Sequence, residues 1–247
     1  MKLSRFAMLL FCAAFFLISC GSNESTEKAK TETTMKNDAG IVKEPAMEKN
    51  TIVTTPQNMV TILHKVADFT KWQPAYDAHD SARLANGLHS YVIGRGYNDP
   101  SMVLVAMRPD DMSKAKMFVK DPNMKKVMNK AGVIGAPSMS FLTSVWQDTA
   151  TLAPDVLRSR TTFMVKDWDV WYKAFQEGKQ ERMDNGILDR VISHDVDDNK
   201  KVQIVTAVID TTKAFAYYKS DALKKRREAS GVIGEPQRFL FQVVKRY

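Results

Sequence analysis

The chain has 247 residues, 44% of them apolar, and its 36 Lys and Arg against 28 Asp and Glu give a modest basic excess of +8. Its only cysteines are Cys12 and Cys20. Beyond Cys20, thiol catalysis, disulfides, zinc–thiolate sites and iron–sulfur clusters are therefore excluded.

Lys2 and Arg5 precede an apolar run, Phe6 to Ile18, that contains no charge. A membrane span needs about 20 apolar residues. This shorter run reads as the hydrophobic part of a secretory signal. It closes with Leu17-Ile18-Ser19-Cys20-Gly21, which resembles the lipobox of bacterial lipoproteins. The resemblance implies that residues 1–19 leave as a signal peptide and that Cys20 receives diacylglycerol. Several acyl chains on one residue anchor stably, because each buried CH₂ contributes about 0.8 kcal/mol. Position 22 is Ser rather than Asp, which favours the outer membrane. The expected location is the cell envelope, with the protein facing the periplasm or the surface. The expected partner of Cys20 is the lipid bilayer.

Residues 20–57 read as the lipidated cysteine and a flexible tether. Gly21 to Gln57 mixes both charge signs, lacks aromatic residues and shows no period. Such a segment cannot bury enough apolar surface to offset its ordering entropy. Two basic clusters follow later, Lys125-Lys126 and Lys224-Lys225-Arg226-Arg227. They read as solvated helix faces. No aromatic side chains interleave with them, so nucleic acid is not an expected partner.

The rest of the chain repeats itself. Val66, Asp68, Trp72, Arg83, Asn86 and Gly87 recur as Val165, Asp167, Trp171, Arg182, Asn185 and Gly186. Gly132-Val133-Ile134-Gly135 and Pro137 recur as Gly231-Val232-Ile233-Gly234 and Pro236 at the same offset. Two copies are expected, over 58–147 and 158–247, joined by the linker Gln147–Leu157.

In copy 1, Met59–Val66 is rich in strand formers. Asp68 caps a helix expected to run to Asn86, and Gly87 ends it in the left-handed conformation. His89–Gly96 and Met102–Arg108 are strands joined by Tyr97-Asn98-Asp99-Pro100-Ser101. Asp111 starts a second helix, which Asp121-Pro122 should break. In Gly132-Val133-Ile134-Gly135, the first glycine ends that helix and Val133 and Ile134 are expected to pack. Ser138–Trp146 is the last strand. The order β-α-β-β-α-β is that of a ferredoxin-like unit. Strands such as Val103–Met107 are apolar on both faces. Helices should cover one face of each sheet and the other sheet the second. The fold class is therefore α+β: two tandem ferredoxin-like units forming an intramolecular α+β barrel. The expected state is a monomer with an internal pseudo-dimer.

Asp68-Phe69-x-x-Trp72, Tyr76-x-x-His79-x-x-x-Arg83, Asn98-Asp99-Pro100, Lys114-Ala115-x-x-Phe118 and Ala131-Gly132-Val133-x-Gly135-x-Pro137 resemble the dimeric α+β barrel superfamily. That superfamily includes the antibiotic-biosynthesis monooxygenase type. The resemblance covers both copies and nothing upstream. It implies the fold. For activity it implies a range: cofactor-independent oxygenases, haem-degrading or haem peroxidase-like enzymes, and plain ligand modules. The Asn–Trp–His pattern of the haem-degrading members has no residue-by-residue match.

The first helix sets Phe69, Trp72, Tyr76, His79 and Arg83 on one stripe. Trp72, Arg83 and its counterpart Arg182 are candidate ligand-binding residues, since a guanidinium on a buried stripe needs a partner. His64, His79 and His89 all lie in copy 1; their counterparts are Phe163, Gly178 and Leu188. This suggests that copy 1 keeps a polar pocket and copy 2 is scaffold. An imidazole there would serve as a general base, or as a metal or haem ligand. No His-Glu-x-x-His motif supports a metal, and no cofactor is expected, with haem left open.

Three functions fit these residues. The first is an envelope-anchored module that binds a small apolar or anionic molecule. The second is a cofactor-independent oxygenase of polycyclic phenols, with His79 as catalytic base and Tyr76 or Arg83 holding the phenolate. The third is a non-catalytic protein-interaction module.

Overall fold

The computed structural model describes residues 50–247. The signal segment, Cys20 and the tether as far as residue 49 lie outside the described residues. Pairing begins earlier than the tether boundary at residue 57 implies. Strand β1 (Ile52–Val53) pairs with Asp148 and Gln147.

Copy 1 then follows the expected order. Strand β2 is Gln57–Val66, β3 is Leu88–Gly96, β4 is Met102–Pro109 and β5 is Val133–Asp148. Each helical segment is split in two. The second breaks at Asp121, giving α3 (Met112–Lys120) and α4 (Pro122–Lys130). Pro122 opens α4, where its missing N–H costs nothing. The first breaks as well, which the sequence reading did not anticipate: α1 is Phe69–Ala78 and α2 is Asp80–Ala85. His79 sits between them.

Copy 2 repeats the plan. Its strands are β6 (Leu157–Val165), β7 (Ile187–Asp195), β8 (Lys201–Val208) and β9 (Val232–Arg246). Its helices are α5 (Trp168–Glu177), α6 (Lys179–Asp184), α7 (Thr211–Tyr218) and α8 (Asp221–Ala229), and the first break falls at Gly178. Gly87 and Gly132 have φ of +66° and +87°, conformations that only glycine adopts without strain. Val133 is buried, but Ile134 is exposed on β5 rather than packed as expected.

The strand order is β5-β2-β4-β3 in copy 1 and β9-β6-β8-β7 in copy 2, antiparallel throughout. Two seams join the copies. Strand β3 pairs with β9 from Val92↔Arg246 to Gly96↔Phe241, and β5 pairs with β7 from Leu142↔Asp195 to Gln147↔Val191. Eight strands thus close on themselves, with no free sheet edge along either seam. The helix-facing side of copy 1 packs Val60, Ile62, Val66, Trp72, Ile93 and Val103 into one core. Each such aliphatic side chain contributes about 1.5–3 kcal/mol by leaving water. The opposite faces meet inside the barrel, where Thr61 Oγ1 donates to Gln203 Oε1 across the lumen at 3.3 Å. Among the described residues, no helix is long and apolar enough to cross a membrane.

Candidate functional site

Asp68 fixes the start of the site. Its carboxylate accepts the Thr70 amide at 2.8 Å and caps α1. The helix then aims Trp72 and Tyr76 at the sheet, stacked on each other at 5.2 Å. At the break, Arg83 reaches back from α2. It is 5% exposed, and Nη1 donates to Tyr76 O at 2.7 Å. Nε donates to Ser90 Oγ at 3.1 Å and Nη2 to Asp80 at 3.0 Å. The guanidinium also lies 3.7 Å from the centre of the Tyr76 ring. All of its edges are engaged by its own chain. Arg182 does the same in copy 2. It donates to Phe175 O at 2.7 Å and forms a fork with Asp189 at 2.8 and 2.6 Å. Both arginines lock the helix break. This is the role a buried cation with a satisfied partner takes.

Between α1–α4 and the copy 1 sheet lies a cavity of about 70 Å³. It brings together five of the residues singled out in the sequence: His64, Trp72, Tyr76, His79 and Arg83. The opposite wall is apolar, with Phe118, Met124 and Met128 from α3 and α4. His64 is 6% exposed, packs on Trp72 at 5.3 Å, and neither ring nitrogen has a hydrogen-bond partner among the described residues. Burial lowers its pKa to about 4, so it is a neutral imidazole at pH 7. His79 Nδ1 is also buried and unbonded. The Tyr76 hydroxyl bonds Ser90 Oγ at 2.9 Å, and burial pushes the phenol pKa up.

His89 does not join them. It sits at the start of β3, exposed, 3.0 Å from Asp110. Only two of the three copy 1 histidines therefore line the cavity.

Copy 2 is not plain scaffold. The equivalent space, of about 80 Å³, is lined by Thr161, Tyr217, Tyr218, Arg226, Arg227 and Arg238, among others. Their copy 1 counterparts are Ile62, Phe118, Val119, Val127, Met128 and Met139. The Lys224–Arg227 cluster thus divides. The lysines face water, and the two arginines turn toward the pocket, one α-helical step further round. The guanidinium of Arg238 lies 3.3 Å from the centre of the Tyr218 ring.

The sequence reading also missed the barrel lumen. Arg158, Arg160, Arg190 and Arg246 stand where copy 1 has Met59, Thr61, Tyr91 and Gln147. Residue-by-residue comparison of the two copies carries that signal. Among the described residues, no group of three or more His, Cys, Asp or Glu side chains is arranged to hold a metal.

No protein-family model matches the chain, and no curated protein matches it. Solved structures do. A candidate monooxygenase from Fusobacterium nucleatum superposes with a TM-score of 0.52 at 11% identity, covering 77% of this chain and 93% of its own. An anthrone oxidase-like protein gives 0.49 at 14% identity, covering 78% and 94%. The chain has the dimeric α+β barrel fold. At these identities the likeness is one of fold. Here a single chain supplies both halves of the dimeric α+β barrel, through the β3–β9 and β5–β7 seams.

Proposed function

We propose that this chain is a lipid-anchored envelope protein whose copy 1 pocket binds a small, uncharged, largely apolar molecule. One observation carries the reading. His64 is buried with both ring nitrogens unbonded, in a cavity whose other walls are mostly apolar. A buried polar group without a partner costs about 1–3 kcal/mol. A ligand hydroxyl, carbonyl or N–H at this position would remove that cost. Arg83 already has its own partners, which argues for a neutral rather than an anionic ligand.

The pocket is small. Its 70 Å³ lies well below the roughly 300–1,000 Å³ of typical ligand pockets, which favours a ligand of about one ring over a porphyrin. Met124 and Met128 give the wall some adaptability, because methionine side chains repack readily. The oxygenase reading asks for a base that can take a proton from a phenol of pKa about 10. His64, with a pKa near 4, is a poor acceptor for it. Arg83, which would hold the phenolate, is already engaged by Tyr76, Ser90 and Asp80, so the oxygenase reading rests on His79 and Tyr76, and binding is the better-supported activity.

The described residues belong to one compact unit and suit native mass spectrometry without the anchor. A co-purifying mass that departs on denaturation supports binding. The proposed envelope anchor has its own test. Cys20→Ser should move the full chain from the detergent-extracted to the soluble fraction. If the distribution stays the same, the anchor is elsewhere.

A further inference from the structure

A second site lies inside the barrel, separate from the helix-side pocket. At one end of the lumen a cavity of about 70 Å³ is walled by Met59, Leu104, Val205, Phe241 and Val243. Three guanidinium groups, those of Arg158, Arg190 and Arg246, also line it, with the single carboxylate of Asp148. Asp148 is already paired, with Arg190 Nη1 at 2.8 Å.

Arg158 is the unusual member. It is 3% exposed, forms no ion pair among the described residues, and Nη1 donates to Val156 O at 2.7 Å. Burial lowers its pKa to about 10, and the neighbouring Arg190 and Arg246 act in the same direction. It nevertheless stays charged at neutral pH. A buried unpaired charge beside two like charges is costly and is normally neutralised or paired. Copy 1 fills the same position with Met59, so the barrel closes without an arginine there. Arg246, exposed at the end of β9, adds a second guanidinium at the mouth that has no ion pair among the described residues. Next to it, Thr151, Leu152, Ala153 and Pro154 of the linker border an open groove of about 400 Å³, which shares Arg158 and Arg246 with the lumen site. The lumen is therefore reachable from solvent at this end.

We propose that this end of the barrel binds a small monocarboxylate, whose anionic head meets Arg158 and Arg246 and whose hydrocarbon lies against Leu104, Val205 and Phe241. A guanidinium fork matches a carboxylate edge to edge. The apolar walls of Leu104, Val205 and Phe241 suit a hydrocarbon body, which an inorganic phosphate lacks.

Butyrate, butyramide and inorganic phosphate are the probes, titrated into the protein and followed by amide shifts of β6 and β9. Butyrate is expected to bind saturably in the millimolar range or tighter. Butyramide and phosphate should bind at least tenfold more weakly. Arg158→Met should weaken butyrate at least tenfold, and the variant should melt no lower than the parent, since it loses an unpaired buried charge. Arg246→Gln, an exposed change that leaves the core alone, should weaken it severalfold. Three outcomes would overturn the assignment: equal binding of butyramide, preference for phosphate, or unchanged butyrate affinity in both variants.

Discussion

His64 and Phe163 occupy the same place in the two copies, each with its ring centroid 5.3 Å from that of the first-helix tryptophan, Trp72 or Trp171. One is an imidazole with two unbonded nitrogens, and the other is a hydrocarbon ring. Copy 2 therefore demonstrates that the fold accepts an apolar ring here. His64→Phe is expected to stabilise the protein by about 1–3 kcal/mol, the cost of the unpaired polar group. Urea denaturation measures it. A loss of stability would mean that His64 has a partner of its own in solution.

The same residue predicts an acid limb. The pKa of His64 is about 4 in the folded chain and near 6.5 when unfolded. The unfolded state thus binds the proton first as pH falls. Above pH 6.5 the titration of His64 costs the protein nothing, and stability is lost progressively as pH falls from 6.5 toward 4. The change amounts to about 3 kcal/mol. In His64→Phe this limb should flatten over that window in a series of denaturation curves.

Arg83 and Arg182 should differ in cost. Asp189, the partner of Arg182, is buried, with its side chain 8% exposed, whereas Asp80 beside Arg83 is 42% exposed. Arg182→Met would strand a buried carboxylate and cost about 3–5 kcal/mol. Arg83→Met leaves a carboxylate that water can reach, and should cost about 1–2 kcal/mol. Equal losses in thermal melts would refute the distinction.

The seam between the copies rests on a close approach. A Cβ on Gly94 would lie 2.3 Å from the Phe241 ring, where β3 meets β9. Gly94→Ala should push the copies apart and destabilise the barrel by about 1–3 kcal/mol. Hydrogen exchange should rise along β3 and β9 before it rises in β2 or β6. Uniform exchange would show that the seam is not the weak point.

The repeat was legible because a constant offset keeps Trp72, Gly87 and Gly132 in register with Trp171, Gly186 and Gly231. The break at Asp121 was legible because Pro122 announces it. The break at His79 was not. No proline stands at it, and it is held by Arg83, four residues further on, which donates back to the Tyr76 carbonyl. Four of the pocket residues share one helical stripe, and His64 shares strand parity with Ile62 and Val66, so their convergence followed from period alone. His89 has the wrong parity for that side, and the acid it meets, Asp110, follows the end of β4, the neighbouring strand. The lumen arginines were hidden by reading strand faces from Val103–Met107, which are apolar in copy 1. Arg158 and Arg160 alternate along β6 and point to the opposite side.

The most direct test of the copy 1 pocket is a titration with phenol, a single ring with one hydroxyl, followed by nitrogen NMR of the His64 imidazole. Saturable shifts of the His64 ring nitrogens and the Trp72 indole are predicted, with binding lost in a folded His64→Phe variant. Unmoved His64 signals, or equal phenol affinity in the variant, would contradict the account.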